Sequence, residues 1–174
     1  MNTDQNQDML YKLTEAMIAY DKGDPKRIQH FIKVHSFART IGIGEKLEEK
    51  TLFLLEAAAL VHDIGIRPAE AKYGNCSGKL QEQEGPAPAR EMLSAIGFAP
   101  DITDRVCFLV AHHHTYDQVD GMDYRILLEA DALVNLYEDQ LPEDAVEAML
   151  RNVFRTKTGS QICRTMFSLS LTDR

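Results

Sequence analysis

Apolar residues recur three and four positions apart along almost the whole chain, a spacing that places them on one face of a helix. The first such segment has Met9, Leu13 and Met17 on its apolar face. Asp24 and Pro25 then begin a second helix, because aspartate caps helix N-termini and proline fits their first turn. No alternating pattern indicates a strand. The predicted helices cover about 4–22, 24–43, 48–63, 86–96, 101–114, 123–139, 142–154 and 159–168.

Two neighbouring segments differ from this regular pattern. Residues 48–63 are apolar almost all round in their second half, which predicts a central, buried helix. Residues 64–84 form the least regular segment, and we predict a loop there, of a length that is usually functional or mobile. Its helix-breaking residues are Gly65, Pro68, Gly74 and Gly78. The pattern as a whole predicts a single compact all-α domain over residues 1–174, a bundle of seven or eight helices.

The composition is that of a globular protein, with 44% hydrophobic and 26% charged residues among 174. A compact chain of this size buries about 70% of the surface that its unfolded form exposes, so a core is available. The chain has 27 acidic and 19 basic residues and a net charge of −8. This balance argues against general nucleic-acid binding, but it does not exclude a small phosphorylated ligand.

The sequence indicates neither a membrane span nor a secreted protein. The most apolar stretch, residues 52–61, contains Glu56 and falls well short of the about 20 residues that a span requires. The N-terminus lacks the basic start and apolar stretch of a signal peptide, so we expect a cytoplasmic protein. Cys76, Cys107 and Cys163 lie far apart, which does not indicate a disulfide framework or a cysteine zinc site.

His62 and Asp63 are the most specific chemical feature, at the end of the predicted buried helix. They follow a run of alanine, leucine and valine, so an ionised carboxylate there requires a cation, a hydrogen-bond donor or a metal nearby. Gly65 ends the helix and thereby allows both side chains to reach one ion. For an isolated dipeptide, a hydrogen-bonded His–Asp pair would be the simpler interpretation, so other residues have to decide.

Three further polar residues lie on apolar helix faces. His30 shares the inner face of the second helix with Val34, and we favour it over His35, which points about 140° away. Asp131 and Glu129 both lie at inward positions of an otherwise apolar helix. A buried acid of this kind either pairs with a base or binds a metal. Two histidines with two aspartates suit Mn, Fe, Co, Ni, Zn or Mg with exchangeable water better than a closed structural zinc.

The order and spacing of these residues resemble the HD-domain superfamily of metal-dependent phosphohydrolases, in its HDIG variant. His30 matches the first histidine of the superfamily, the run His-Asp-Ile-Gly from His62 matches its signature, and Asp131 matches its last metal ligand. The resemblance implies that these residues bind one divalent ion together with Asp63, which would also lie near the attacking water.

The resemblance covers residues 24–139, which would form the core of the domain, with the terminal helices 4–22 and 142–168 packed on it. Two-metal members carry further histidines between the signature and the last aspartate. The first of these positions is Gln81 here, and glutamine is a poor metal ligand. The next position matches the run from 112 to 114, in which His113 and His114 are the better-aimed pair.

The resemblance therefore implies one tightly held ion and, at His113 and His114, a second ion held weakly or together with substrate. Which of the three consecutive histidines face the site is left open, because consecutive helical residues cannot all point inward.

The segment after the signature carries groups suited to phosphate binding and proton transfer. Arg67, Lys72 and Lys79 supply positive charge that the acidic chain otherwise lacks, although a solvated loop accounts for them equally well. Glu82 and Glu84 are candidates for a catalytic general base or for support of the metal ligands.

The leading hypothesis is a phosphomonoesterase or phosphodiesterase that hydrolyses a small phosphorylated substrate, a nucleotide, by attack of metal-activated water. One alternative is a di-iron oxygenase of the same superfamily, which needs two irons. Another is a non-catalytic HD module that senses a ligand. The expected partner is the small-molecule substrate, with no general nucleic-acid binding and no membrane, and the sequence leaves a homo-oligomer open.

Overall fold

The computed structural model describes residues 3–169. Within these residues the chain forms ten α-helices and no strand, so the all-α prediction is confirmed, whereas seven or eight helices were too few. None of the ten combines the length and apolar character that a membrane span requires. The helices are α1 (Thr3–Tyr20), α2 (Pro25–Gly44), α3 (Glu49–Val61), α4 (Ile66–Tyr73), α5 (Gly78–Glu84), α6 (Pro86–Ile96), α7 (Pro100–Val110), α8 (Met122–Glu138), α9 (Glu143–Asn152) and α10 (Lys157–Met166).

The difference in number arises at residues 64–84, where we predicted an irregular loop and the chain instead forms α4 and α5. Pro68 lies in the first turn of α4, where its missing N–H interrupts no helical hydrogen bond. Ala69 is fully buried and anchors α4 on the core. The helix ends at Gly74, whose φ of 71° lies in the left-handed region that favours glycine. These breaking residues therefore mark helix ends and not the absence of helices.

The central helix α3 determines where the others pack. All of its residues from 53 to 61 are buried, and it contacts α1, α2, α7 and α8. The helix α2 also packs along α8, and α10 lies on both of them. Polar side chains that α2, α3 and α8 direct inward are consequently brought to one place.

A close backbone contact fixes α5 against the turn after α3. A Cβ atom at Gly65 would overlap the carbonyl oxygen of Gln81 and lie 2.9 Å from the backbone nitrogen of Gly85. We expect Gly65→Ala to lower the free energy of unfolding by about 2 kcal/mol, because backbone atoms cannot turn aside as a side chain does. Urea unfolding measures the change, with Ala71→Ser on the exposed face of α4 as the control. Equal stability of the Gly65→Ala protein and the wild type would contradict the contact.

Candidate metal centre

Four of the residues singled out in the sequence meet where α2, α3 and α8 pack together. His30 lies on the buried face of α2, and Asp131 on that of α8. Because α3 ends at Val61, His62 and Asp63 follow in a turn, and their adjacent side chains can reach the same point. Three of the four residues are less than a tenth exposed, and Asp63 is more open.

The ligand atoms of these residues are separated by distances that suit a shared ion. Nε2 of His30 lies 3.3 Å from Nε2 of His62 and 3.4 Å from Oδ2 of Asp63. Oδ1 of Asp131 lies 3.2 Å from Nε2 of His30 and 3.6 Å from Nε2 of His62. Two atoms that are each about 2.1 Å from one ion lie about 3.0 Å apart at a right angle and about 3.4 Å apart at the tetrahedral angle. The cluster therefore fits a divalent ion with nitrogen and oxygen ligands.

The second ring nitrogen of each histidine fixes the orientation of its ring. Nδ1 of His62 lies 2.9 Å from the carbonyl oxygen of Ala59. Nδ1 of His30 lies 3.0 Å from Oε2 of Glu138. An acceptor at Nδ1 favours the proton on that nitrogen and leaves Nε2 available to a metal. Both rings are thus held with Nε2 towards the cluster.

The charges of the cluster favour a bound cation. Burial lowers the pKa of His62, but Asp63 and Asp131 outweigh burial and raise it to about 9. Burial raises the pKa of Asp131, yet His30 and His62 together hold it well below its usual range. The pKa of Asp63 is likewise depressed, because His62 and His113 outweigh the effect of burial. Two ionised carboxylates at a poorly hydrated site need compensating positive charge, which a divalent ion supplies.

A second group of donors lies beside Asp63 and consists of that residue, His113 and His114. Nε2 of His113 is buried 3.3 Å from Oδ1 of Asp63, and no described residue makes an aligned hydrogen bond to it. Burial, together with the electrostatic influence of the neighbouring His113 ring, lowers the pKa of His114 to about 4, so that the ring of His114 is neutral at pH 7. Nε2 of His114 faces the amide oxygen of Gln81 at 3.2 Å. His112 instead stacks on an aromatic ring of α7.

Three residues that the sequence analysis missed support the cluster: Lys33, Asn135 and Glu138. Oε1 of Glu138 accepts a hydrogen bond from Nζ of Lys33 at 2.6 Å, which holds the carboxylate against His30. The amide of Asn135 donates to Oδ1 of Asp131 at 2.9 Å. Asn135 and Glu138 follow Asp131 by four and seven residues on α8, so helical periodicity would have placed them on the face of that ligand.

The contact between Glu138 and His30 predicts an effect on metal affinity. We expect Glu138→Ala to weaken metal binding about tenfold or more, because the ring of His30 loses the acceptor that orients it. Glu138→Gln, which keeps an oxygen acceptor, should lose less. Metal titration by calorimetry measures both, with Glu143→Ala on the exposed start of α9 as the control. Wild-type affinity in the Glu138→Ala protein would show that the ring is held by other contacts.

A cavity of about 530 Å³ lies above the cluster, a size typical of small-molecule sites. His30, Asp63 and Asp131 line it. Its wall on the α2 side includes Lys26, and its wall on the α8 side includes Asp139. No phenylalanine or tyrosine from the described part of the chain lines it. The metal cluster is therefore open to a small, polar ligand.

The basic residues that the sequence analysis proposed for phosphate do not line this cavity. Nε of Arg67 is 3.2 Å from Oδ1 of Asp21, and Nζ of Lys72 is 3.0 Å from Oε1 of Glu84. Lys79 is exposed on α5. Their role in substrate binding stays a prediction, and the geometry gives Arg67 and Lys72 partners of their own.

The two glutamates proposed as general bases also lie outside the lining of the cavity. Oε1 of Glu82 accepts hydrogen bonds from the backbone N–H of His114 at 2.9 Å and from the hydroxyl of Thr115 at 3.0 Å. Oε1 of Glu84 accepts from Lys72. These contacts favour Glu82 as a support for the turn that carries His114, and a base role for either glutamate stays a prediction.

Two other residues discussed from the sequence lie away from the cluster. Nε2 of His35 is 3.1 Å from Oε1 of Glu56, in keeping with the preference for the other histidine of α2. Glu129 points inward, as predicted, and is fully buried. It does not join the metal cluster, because its carboxylate accepts hydrogen bonds from the backbone N–H groups of residues 155 and 156.

Comparison with models of protein families gives a match to the family described as HD domain, over residues 27–153. The matched span includes all four residues of the cluster and extends beyond α8 to the end of α9. No curated protein matches the chain.

Proposed function

Since the family model spans most of the chain, the protein belongs to the HD-domain family, and from this premise we propose that it is a phosphohydrolase that depends on a divalent metal ion. Proteins of this superfamily are mostly metal-dependent phosphohydrolases. The observation that carries the proposal is the convergence of ligand atoms from two histidines and two aspartates at the floor of an open cavity.

In the proposed reaction, a water oxygen bonds to phosphorus and gives up a proton, while the bond from phosphorus to the leaving oxygen breaks and that oxygen takes up a proton. When bound, the ion would supply positive charge to the phosphoryl oxygens and lower the pKa of a water molecule. Asp63 is the residue best placed to orient the attacking water. Its Oδ2 faces His30 and His62, its Oδ1 faces His113, and its side chain is the most open of the four.

We propose one tightly bound ion and a second that binds weakly at His113 and His114. The reason is Gln81, whose amide oxygen faces His114 where a stronger nitrogen ligand would complete the second group. The same residue counts against the di-iron oxygenase, which needs two irons. The oxygenase, the ligand-sensing module, the nucleotide as substrate, the cytoplasmic location and the absence of nucleic-acid binding all stay predictions.

Phosphate release by the loaded protein tests the proposal. The protein is purified without chelator, loaded with Mn, Fe, Co, Ni, Zn or Mg in turn, and incubated with p-nitrophenyl phosphate, sugar phosphates and nucleotides. We expect phosphate release with at least one metal, its loss on adding a chelator, and its recovery when the metal is restored. Oxygen uptake without phosphate release would establish the oxygenase instead. Turnover that chelation leaves unchanged would refute a metal-dependent reaction.

A further inference from the structure

The wall of the cavity formed by α2 carries a positive charge that has no ion-pair partner among the described residues. Lys26 lines the cavity, and within residues 3–169 its side chain makes no ion pair or hydrogen bond. The neighbouring Arg27 already forms two ion pairs, with its Nε 3.2 Å from Oδ2 of Asp24 and its Nη2 2.6 Å from Oε1 of Glu70. Lys26 also precedes His30 by four residues, which places the two on the same face of α2. The lysine is therefore the available cation beside the metal cluster.

The backbone at the N-terminus of α2 offers few hydrogen-bond donors to an anion, so an anion there would contact the side chain of Lys26. The carboxylate of Asp24 accepts a hydrogen bond from the backbone N–H of Arg27, and Pro25 has no N–H to offer. Two of the first three residues of α2 thus offer no free backbone N–H to an anion, which leaves Lys26 as the residue of this turn that can contact a phosphate.

The wall formed by the end of α8 carries a negative charge that has no partner among the described residues. Asp139 lines the cavity and makes no side-chain hydrogen bond or ion pair within the described residues. The charge of the adjacent Glu138 is neutralised by Lys33, whose Nζ lies 2.6 Å from Oε1 of Glu138. The carboxylates of Asp63 and Asp131 would balance the two charges of a divalent ion. Lys26 and Asp139 are then the charged side chains of the cavity lining that have no ion-pair partner among the described residues.

We propose that the cavity takes a phosphomonoester with one phosphate group and an uncharged, hydroxyl-bearing leaving group. Lys26 binds an oxygen of the phosphate, and Asp139 accepts a hydrogen bond from the leaving group. A second phosphate that extended towards α8 would face the carboxylate of Asp139 and be repelled. This inference rests on the proposed function and narrows it to monoesters, with di- and triphosphates disfavoured.

The role of Lys26 is tested on metal-loaded protein with p-nitrophenyl phosphate as substrate and inorganic phosphate as inhibitor. Lys26→Gln should raise KM and the inhibition constant of phosphate about tenfold, as expected for one lost charge-assisted contact, with kcat and metal content little changed. Lys26→Arg should restore most of the affinity. Lys50→Gln is the matched control, because that lysine is exposed near the start of α3, outside the cavity. Unchanged constants in Lys26→Gln, or an equal change in Lys50→Gln, would overturn the assignment.

The role of Asp139 is tested by the ratio of kcat/KM for a nucleoside monophosphate to that for the corresponding diphosphate. The wild type should prefer the monophosphate, and Asp139→Asn should shift the ratio towards the diphosphate by about fivefold or more, because the repulsion is removed. Equal efficiency of the wild type on both, or no shift in Asp139→Asn, would overturn the restriction to monoesters.

These outcomes separate the inference from the function on which it rests. If the metal-loaded wild type hydrolyses no phosphate ester, both the proposed function and this inference are wrong. If Lys26→Gln and Asp139→Asn hydrolyse phosphate esters with wild-type constants, the protein is a phosphohydrolase and only the roles assigned to Lys26 and Asp139 are wrong.

Discussion

Asp63→Asn is expected to lower phosphate release at least about 1,000-fold, equivalent to about 4 kcal/mol of transition-state stabilisation. The asparagine keeps the shape of the side chain but loses the charge that faces His30, His62 and His113. It therefore removes both a metal ligand and the group that would orient the attacking water. Initial rates at saturating metal and the metal content of the purified variant measure the two effects.

Asp104→Asn is the control for this substitution, because Asp104 is an exposed aspartate whose ion pair with Arg90 lies on the surface. It should keep the activity and the metal content of the wild type. Full activity of Asp63→Asn, with a folded protein shown by circular dichroism, would contradict the role of Asp63 in the reaction.

Glu129→Ala is expected to lower the free energy of unfolding by about 3 kcal/mol or more, without removing the metal site. The buried carboxylate accepts hydrogen bonds from the N–H groups of Arg155 and Thr156, at 2.6 and 2.9 Å, and also from the hydroxyl of Thr156. Alanine would leave these donors, of which those of Thr156 are buried, without their acceptor just before α10. Urea denaturation measures the loss of stability.

Two further variants serve as comparisons for Glu129→Ala. Glu129→Gln keeps one acceptor oxygen, so we expect about half the loss of the alanine variant. Glu147→Ala removes an ion pair with Arg151 on the exposed face of α9, so it should change the free energy of unfolding by less than about 0.5 kcal/mol. Equal stability of the Glu129→Ala and Glu147→Ala proteins would contradict the account of the C-terminal segment.

The residues of the cluster could be found from the sequence because each interrupts an apolar pattern. His30 and Asp131 lie on helix faces that are otherwise hydrophobic, and His62 and Asp63 end the most hydrophobic helix of the chain. Helical periodicity fixes which face such a residue occupies, and the packing of three helices around α3 then brings the faces together. Their meeting in space therefore follows from the pattern.

Other features depend on contacts between distant segments, which periodicity does not encode. The sequence shows that Arg67 is basic, but it does not show that Arg67 forms an ion pair with Asp21 in the turn after α1. We predicted a helix as far as residue 114, whose consecutive histidines could not all point inward, but α7 ends at Val110 and the histidines at 112–114 follow in a turn. The helices α4 and α5 were missed because their glycines and proline occupy helix termini. Lys26 was overlooked because an exposed lysine has no distinctive local pattern.

Metal content per chain, measured by elemental analysis on protein purified without chelator or nickel, tests the central claim most directly. We expect about one equivalent of a divalent metal in the wild type and its loss in His62→Ala, whose side chain supplies a buried ligand atom of the cluster. A wild type that holds no metal even after addition of Mn²⁺ and Fe²⁺ would contradict this account. The histidines and aspartates would then form a structural hydrogen-bond network.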